Sequence, residues 1–301
     1  MEVTELRKTY GSVKAVDNSS FNVTQGEVFG MLGPNGAGKT TTMEIVEGLR
    51  AADSGNVTVL GLNMAHQPRA VKTRIGVQLQ TTSLYPRLTV TEVLNLFRSF
   101  FPKSLPASEL IVLAGLEDSS NKRCANLSGG QKQRLSVSTA MVNDPEILFL
   151  DEPTTGLDPQ ARRNMWDVIA HVRGKGKTVF LTTHYMEEAE RLCDRVAIID
   201  NGKIVASDRP VALIDHFFKE QAIEFQVDQP LSRETLSAIP GTSSVLTENG
   251  TITLFSSSVQ VTIGALLGLA EQRGISLTGI TLRKAILEDV FLKLTGRRIR
   301  D

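Results

Sequence analysis

The fold follows from residues 28–40, which read Val28-Phe29-Gly30-Met31-Leu32-Gly33-Pro34-Asn35-Gly36-Ala37-Gly38-Lys39-Thr40. The apolar run through Leu32 predicts a buried strand, and the Gly-rich segment has the spacing of a phosphate-binding loop that opens a helix. Glycine lets backbone N–H groups turn toward phosphates, and the N-terminus of the following helix adds its dipole. The alternative is a chance Gly-rich turn, which the flanking strand and a helix expected through Glu44–Leu49 argue against.

Two acids at the end of a second apolar run complement this loop. Residues 147–150 are apolar, and Asp151 and Glu152 follow them. Lys39 can reach the β- and γ-phosphates of a nucleotide, and the Thr40 hydroxyl can bind Mg²⁺. One carboxylate can then hold the metal or its water shell, while the other orients and deprotonates an attacking water. Alone, such a pair is often a solvated strand end, but the phosphate loop favours the catalytic interpretation.

A third motif, Leu127-Ser128-Gly129-Gly130-Gln131, predicts a second anion site. A serine and paired glycines at the start of a helix direct several N–H groups to one point. One nucleotide does not obviously need two such sites within one domain. As an isolated helix cap the motif would mean little.

Composition and charge limit the remaining possibilities. The chain has 301 residues, enough for one large domain or one domain plus a small one. Lys and Arg number 33, as do Asp and Glu, so the formal net charge is zero. A balanced charge gives no reason to expect nonspecific attraction to nucleic acid or to anionic membranes.

Membrane and redox signals are weak in this sequence. No segment approaches the roughly 20 apolar residues needed to span a bilayer, and the first residues lack the apolar core of a secretory signal. Cys124 and Cys193 lie far apart without metal-like spacing, so we expect reduced, partly buried thiols. If the chain serves a membrane, it is expected to do so as a peripheral subunit.

Short strands alternate with helices over the first two thirds of the chain, which is typical of an α/β domain. Beside 28–32 and 147–151, the predicted strands are 178–182 and 196–200. Asp158 is the predicted N-cap of a helix with Pro159 at its first position and its end at Gly174. Helices are also predicted at 90–100 and 107–114.

Beyond about Asp215 the pattern changes to β-α-β-β-α-β, the order of a ferredoxin-like domain. Asn249-Gly250 is a hairpin signal between two of its strands. The predicted strands are 222–228, 243–247, 251–255 and 276–282, and the predicted helices are 233–239, 261–273 and a last helix at 283–295.

With these motifs in this order, Met1 to about Asp208 resembles the ATPase subunits of ABC transporters. Tyr10 stands where the family has the aromatic residue that stacks on adenine. Gln80 matches the glutamine that touches Mg²⁺ and links to the membrane subunit. Thr155-Gly-Leu-Asp158 matches the loop that crosses between paired subunits, and His184 matches the histidine that contacts the γ-phosphate.

Each of these matches has an alternative when taken alone. Tyr10 could be a surface aromatic residue, and a lone histidine at a strand end is more often structural. Gln78 lies two residues before Gln80, and many relatives have proline where this chain has Leu79. The spacing favours Gln80.

The resemblance implies an α/β fold with a P-loop NTPase (RecA-like) core, an antiparallel β subdomain and an α-helical subdomain. The ATP-binding domain is expected at residues 1–215 with a helical insert at about 81–140. A small C-terminal α+β, ferredoxin-like domain at 216–301 is expected to regulate or brace the dimer.

The family also implies the cofactors and partners. Two subunits, identical or closely related, pair head to tail and hold ATP and Mg²⁺ between the phosphate loop of one and the 127–131 motif of the other. Opening and closing of this dimer moves integral membrane transporter subunits. Nucleic acid is not expected as a partner, and the chain is expected at the cytoplasmic face of the cell membrane.

The implied site residues are as follows. The catalytic residues are Glu152, His184 and Gln80, and the metal-binding residues are Thr40, Gln80 and Asp151. The residues that contact the nucleotide are Tyr10, Gly33, Pro34, Asn35, Gly36, Ala37, Gly38, Lys39, Thr40, Thr41, Ser128, Gly129, Gly130, Gln131 and Asp158.

Residues 84–90, 184–190 and 287–296 resemble the drug-resistance branch of bacterial exporters, which includes antibiotic self-resistance pumps. Many importers have Asp after the histidine, where this chain has Tyr185. We therefore expect an exporter ATPase for drugs, antibiotics or lipid-like compounds.

The alternatives are an importer ATPase, a soluble ABC-type ATPase in DNA repair or translation, and a binding module without catalysis. The sequence lacks the long insertions or second ATPase domain of the soluble relatives, and Asp151, Glu152 and His184 argue for catalysis.

The helical insert is the region that receives the membrane subunit in this family. Leu84, Tyr85 and Phe101 would suit a docking groove if they are exposed. Packing inside the insert is an equally good interpretation of the same residues.

Overall fold

The computed structural model describes residues 1–80, 84–218, 220–248 and 250–296. The chain divides into two compact units, the first over Met1–Pro210 and the second beginning at Val211. Among the described residues, no helix combines the length and apolar character that crossing a bilayer requires.

The strands of the first unit are β1 (Glu2–Tyr10), β2 (Val13–Asn22), β3 (Val28–Leu32), β4 (Ser54–Val59), β5 (Leu62–Asn63), β6 (Ile75–Gln78), β7 (Ile147–Asp151), β8 (Thr178–Thr183), β9 (Arg195–Asp200) and β10 (Lys203–Asp208). Its helices are α1 (Lys39–Val46), α2 (Pro68–Lys72), α3 (Val90–Arg98), α4 (Ala107–Ala114), α5 (Gly129–Ala140), α6 (Pro159–Gly174) and α7 (Met186–Leu192).

A six-stranded sheet in the order β10-β9-β3-β8-β7-β6 forms the centre of this unit. Five of its strands pair in parallel and β10 pairs antiparallel to β9. Every residue of β3, β7 and β8 is buried, as expected for parallel strands with both faces covered. The expected strands are thus confirmed, and the carboxyl ends of β3, β7 and β8 lie at one edge.

A second sheet and a helical subdomain complete the first unit. The sheet has the order β2-β1-β4-β5 and is antiparallel. Helices α3, α4 and α5 pack on one another around Val93, Leu94, Leu110 and Leu135, which are fully buried. The predicted P-loop core with an antiparallel β and a helical subdomain is confirmed.

Two predicted helix ends in this unit are wrong. Helix α1 ends at Val46 instead of Leu49, because Gly48 adopts φ 72° and the Leu49 N–H returns to the Glu44 carbonyl, which closes the helix. Helix α3 ends at Arg98 instead of Phe100. The Ser99 hydroxyl donates to the Leu96 carbonyl there, which competes with continued helix.

The second unit contains α8 (Pro210–Phe217), β11 (Gln221–Val227), α9 (Arg233–Ser237), β12 (Thr242–Glu248), β13 (Thr251–Ser256), α10 (Val259–Arg273), β14 (Leu277–Lys284) and α11 (Leu287–Thr295). Its sheet is antiparallel in the order β12-β13-β11-β14. Ile223, Phe225, Leu254 and Leu266 lie at the centre of its own apolar core. The β-α-β-β-α-β order is confirmed, and Asn249 of the predicted hairpin lies outside the described residues.

The last helix begins later than predicted. Arg283 and Lys284 pair with Ala222 and Gln221 as part of β14, so α11 starts only at Leu287. The Arg283 guanidinium donates to Asp289 in the first turn of α11 and to Glu224 of β11. Arg283 therefore links the sheet to the helix that was expected to contain it.

Both cysteines are buried free thiols, as expected. Cys124 lies just before the 127–131 motif. Cys193 follows α7, and its Sγ presses on β3 so closely that a Cβ added at Gly30 would lie 2.6 Å from it. Burial raises the pKa of the Cys193 thiol well above its ordinary value.

Candidate active site

The phosphate loop connects β3 to α1 and has a backbone that requires glycine. Gly38 precedes the first residue of α1 with φ 105°, and a Cβ there would lie 2.1 Å from the Ala15 carbonyl oxygen. The loop borders a pocket of about 410 Å³ that is open to solvent. The pocket is lined by Tyr10, Ala15, Asn35, Gly36, Gly38, Lys39, Thr40, Thr41, Gln80 and Glu152.

Lys39 is 4% exposed and is held by the loop itself. Its Nζ donates to the carbonyl oxygens of Gly33 at 2.8 Å and Pro34 at 3.1 Å. The same ammonium lies 3.1 Å from Glu152 Oε1. A buried lysine at the N-terminus of a helix, with three donors and a full charge, is suited to bind phosphate oxygens.

Glu152 lies at the carboxyl end of β7 and adopts φ 48°, a left-handed conformation that is uncommon for a residue with a side chain. Two bonds maintain it, since its N–H donates to the Thr182 carbonyl at 3.2 Å and to the Thr182 hydroxyl at 3.0 Å. Strained backbone of this kind often occurs at functional sites. The strand register that places Thr182 beside Asp151 thus aims the Glu152 side chain.

Several polar groups converge on the Glu152 carboxylate. His184 Nδ1, at the end of β8, lies 3.2 Å from Oε2, although not in hydrogen-bond alignment. Thr155 donates to Oε2 at 3.1 Å, and Gln80 Nε2 lies 3.5 Å from it. His184 and Lys39 lower the pKa of Glu152 to about 2, against an opposing effect of burial. The carboxylate is therefore ionised at neutral pH.

Gln78 and Gln80 have different surroundings. Gln78 is 1% exposed, and its amide donates to the neighbouring Leu79 carbonyl at 2.6 Å. Gln80 instead borders the pocket next to Glu152. The structure therefore places the glutamine that the spacing favoured beside the other candidate residues.

Asp151 is the second acid of the pair and is buried under the loop. Its Oδ1 accepts from the Thr40 hydroxyl at 3.4 Å and, over a short distance, from the Thr182 hydroxyl. Burial, as the largest cause, raises the pKa of Asp151. The Thr182 contacts are not visible in the motif, because they depend on which strand lies beside β7.

Tyr10 is 41% exposed at the rim of the same pocket. The side chains of Lys8 and Arg50 lie 5.7 and 5.4 Å from its ring centre. A ring that borders the pocket and leaves part of its surface open can stack on a planar base.

The 127–131 motif forms the N-terminus of α5. The Ser128 hydroxyl accepts from the Gln131 N–H at 3.2 Å, and Gln131 Oε1 accepts from the Ser128 N–H at 3.0 Å. Gly130 allows α5 to approach α6, because a Cβ there would lie 2.8 Å from the Cβ of Ala161. Ser128 and Gly129 are exposed. None of residues 127–131 is among the described residues that line the phosphate-loop pocket.

Asp158 is the N-cap of α6, as predicted. One of its carboxylate oxygens accepts from the N–H groups of Gln160 and Ala161 at 2.9 and 2.8 Å. Leu157 N–H donates to the Thr154 carbonyl, so the segment that follows Glu152 is a tight turn into this helix. Asp158 is not among the described residues that line the phosphate-loop pocket.

Comparison with known proteins identifies the family. Residues 16–155 match the family described as "ABC transporter". The chain is 40% identical over 308 aligned positions to the Nod factor export ATP-binding protein I of Ralstonia nicotianae, with all of this chain and 95% of that protein covered. A relative of the same name from Rhizobium etli is also 40% identical, with 99% and 94% covered.

A solved structure agrees with this assignment. A dimeric ATP-binding cassette, MJ0796, in a post-hydrolysis state bound to ADP and Pi, is 26% identical with a TM-score of 0.63. The alignment covers 69% of this chain and 97% of the MJ0796 chain. The chain therefore belongs to the ABC transporter family, as an ATP-binding subunit that hydrolyses ATP.

Proposed function

We propose that two copies of this chain, or one copy and a close relative, bind ATP between them and drive an exporter. The observation that carries this proposal is the separation of the two anion sites. The exposed N-terminus of α5 does not border the described pocket that contains Lys39 and Glu152. In the proposed arrangement, a second subunit supplies this motif to the nucleotide in that pocket. The dimeric ATP-binding cassette among the similar structures supports this arrangement.

The hydrolytic chemistry is assigned to the residues around Glu152. Lys39 and the loop N–H groups bind the β- and γ-phosphates, and Tyr10 stacks on the base. Glu152 orients an attacking water and accepts its proton, while His184 contacts the γ-phosphate. When Lys39 turns from Glu152 to the phosphates, Glu152 loses one of the two neighbouring groups that lower its pKa. The carboxylate then becomes a better base as the nucleotide binds.

The donor set around Thr40 fits Mg²⁺. Oxygen atoms of Thr40 and Asp151 lie together, with the Gln80 amide at the edge of the same pocket. Among the described residues, no cluster of three or more His, Cys, Asp or Glu side chains could hold a metal. This suits Mg²⁺, which proteins bind through one or two carboxylates together with substrate phosphates. Bound there, the metal would neutralise charge on the phosphates.

Two substitutions test the ATPase assignment. Glu152→Gln keeps the size of the side chain and removes the base, so Mg²⁺-dependent turnover should fall by about 10²–10⁴-fold while ATP binding persists. The unhydrolysed nucleotide should hold the dimer together, and gel filtration with ATP should show the dimer. Lys39→Ala should lose the nucleotide and remain monomeric.

Glu109→Gln is the matched control, because Glu109 is an exposed glutamate that pairs with Lys175, and neither residue lines the described pocket. Its turnover should equal that of the wild type. Wild-type turnover by Glu152→Gln would remove the catalytic assignment and leave ATP binding intact.

Export as the direction of transport rests on the relatives and on sequence patterns. The similar proteins are named for Nod factor export. Residues 184–190 and 287–296 and the C-terminal unit resemble the drug-resistance branch of exporters, and drugs, antibiotics or lipid-like compounds are the proposed cargoes. The chain would then act at the cytoplasmic face of a membrane beside an integral transporter subunit, and its C-terminal unit would regulate or brace the dimer.

A further inference from the structure

Tyr185, the residue after His184, makes two ring contacts that the proposed chemistry does not use. Its ring centre lies 4.2 Å from that of the His184 imidazole, with 43° between the planes. The guanidinium carbon of Arg162 lies 4.2 Å from the centre of the same tyrosine ring. At this distance the guanidinium is attracted by the electrons of the ring. Tyr185 therefore contacts both the candidate catalytic histidine and a cation of α6.

Arg162 lies one helical turn after the loop that leads from Glu152. Its N–H donates to the Asp158 carbonyl at 2.9 Å, which is the first hydrogen bond of α6. Its Nε is buried and has no hydrogen-bond partner in the described part of the chain. Glu188, fully buried on α7, accepts from Trp166 Nε1 at 3.1 Å, and burial raises the pKa of its carboxyl group. The face of the Tyr185 ring is thus a contact that holds the Arg162 guanidinium.

His184 lacks a well-aligned hydrogen bond of its own at Nδ1. This atom is buried 3.2 Å from Glu152 Oε2 without hydrogen-bond alignment to it or to any other described residue. The contact with Glu152 lacks hydrogen-bond alignment, so the orientation of the imidazole also depends on the side chains packed against its ring. The Tyr185 ring provides such packing.

We propose that Tyr185 is a positioning residue for ATP hydrolysis, which holds the His184 imidazole in place and connects it through Arg162 to the start of α6. This inference rests on the proposed roles of Glu152 and His184. Helix α6 begins at the loop that is expected to cross between subunits. The contact between Tyr185 and Arg162 therefore links the proposed dimer interface to His184, the residue proposed to meet the γ-phosphate. The tyrosine hydroxyl has no part in this function, and the aromatic face is the functional group.

Steady-state ATPase kinetics of the purified full chain with Mg²⁺ test the proposal. Tyr185→Leu should lower kcat about threefold to thirtyfold with little change in KM, the range that loss of an aromatic contact to a cation implies. Tyr185→Phe keeps the ring and should stay at the wild-type rate. Arg162→Leu should lower kcat in the same direction. Arg173→Leu, on the same helix but paired with Asp194, is the control and should leave kcat unchanged.

A double-mutant cycle separates positioning from general destabilisation. In a His184→Ala background, measured in single-turnover assays, Tyr185→Leu should cause no further loss, because the residue acts through the histidine. If the rate reductions caused by His184→Ala and Tyr185→Leu multiply in the double variant, the proposal is wrong. It is also wrong if Tyr185→Leu and Arg162→Leu both keep the wild-type kcat. If Glu152→Gln is inactive while these variants are fully active, only the positioning role falls. If Glu152→Gln is itself active, the proposed function fails first.

Discussion

At the scale of single residues, Glu47 is a buried carboxyl group that the chemistry does not explain. It is 1% exposed just after α1, and its Oε1 has no hydrogen-bond partner in the described part of the chain. Burial, followed by the charges of Asp151 and Glu44, raises its pKa from 4.5 to about 8. The folded state therefore binds the Glu47 proton more tightly than the unfolded state does.

This shift predicts a pH dependence of stability. Because the folded pKa lies above the unfolded one, the stabilising effect of the proton is complete below pH 4.5 and is lost as the pH rises toward 8. Urea unfolding across this range should show the wild type losing stability with pH, while Glu47→Gln should show a flatter dependence. Glu271→Gln, an exposed glutamate, should follow the wild type. An equally steep curve for Glu47→Gln would show that Glu47 is not the titrating group.

Where a motif fixes the backbone, the sequence indicates which single residues lie near one another. The loop and the strand end point to Lys39, Asp151 and Glu152, and the structure places Lys39 beside Glu152 and Asp151 beside Thr40 of the loop. Thr182 could not be found this way, although it bonds both Asp151 and the Glu152 N–H. Its role depends on β8 lying next to β7, which is a property of the sheet.

At the scale of elements, the apolar pattern within a helix or strand is more informative about its position than the residues at its ends. Every residue of β7 is buried, and its bounds follow directly from its apolar run. The sequence predicts that the last helix starts at Arg283, because Arg283 and Lys284 have good helix propensity, but both belong to a strand that pairs with β11. Tertiary pairing outweighs local propensity at such positions.

The helical insert gives a prediction at this scale. Tyr85 is 51% exposed, whereas Leu84 and Phe101 are only partly exposed, so Tyr85 is the best candidate to contact the membrane subunit. Tyr85→Glu should reduce co-purification with that subunit and leave ATP binding by the isolated chain intact, since a charge opposes burial of the surface. Val205→Glu, a similar change on exposed strand β10, should assemble normally. If Tyr85→Glu still assembles with the membrane subunit, Tyr85 contributes only to packing within the insert.

At the scale of the whole molecule, the nucleotide motifs all lie in the first unit. The two units have separate apolar cores, one around Phe29, Phe149 and Phe180 and the other around Phe225 and Leu254. The sequence predicts a domain boundary near Asp215, and the two compact units of the structure meet at Pro210 and Val211.

A chain that ends at Pro210 should therefore fold and bind ATP as tightly as the full chain, because the pocket and its supporting core remain complete. Circular dichroism would verify folding, and titration with a fluorescent ATP analogue would measure affinity. The matching variant is the full chain with Lys39→Ala, which should be folded but unable to bind. A folded truncation without affinity would show that the second unit contributes to nucleotide binding.

The close contact between Gly30 and Cys193 has a consequence for the chemical history of the protein. The thiol is sealed against the central strand, and its raised pKa keeps it protonated, so oxidants and alkylating reagents do not reach a reactive form of it in the folded chain. Modification requires the segment after α7 to lift from β3. An irreversibly alkylated Cys193 would therefore identify a molecule in which this segment had moved away from β3.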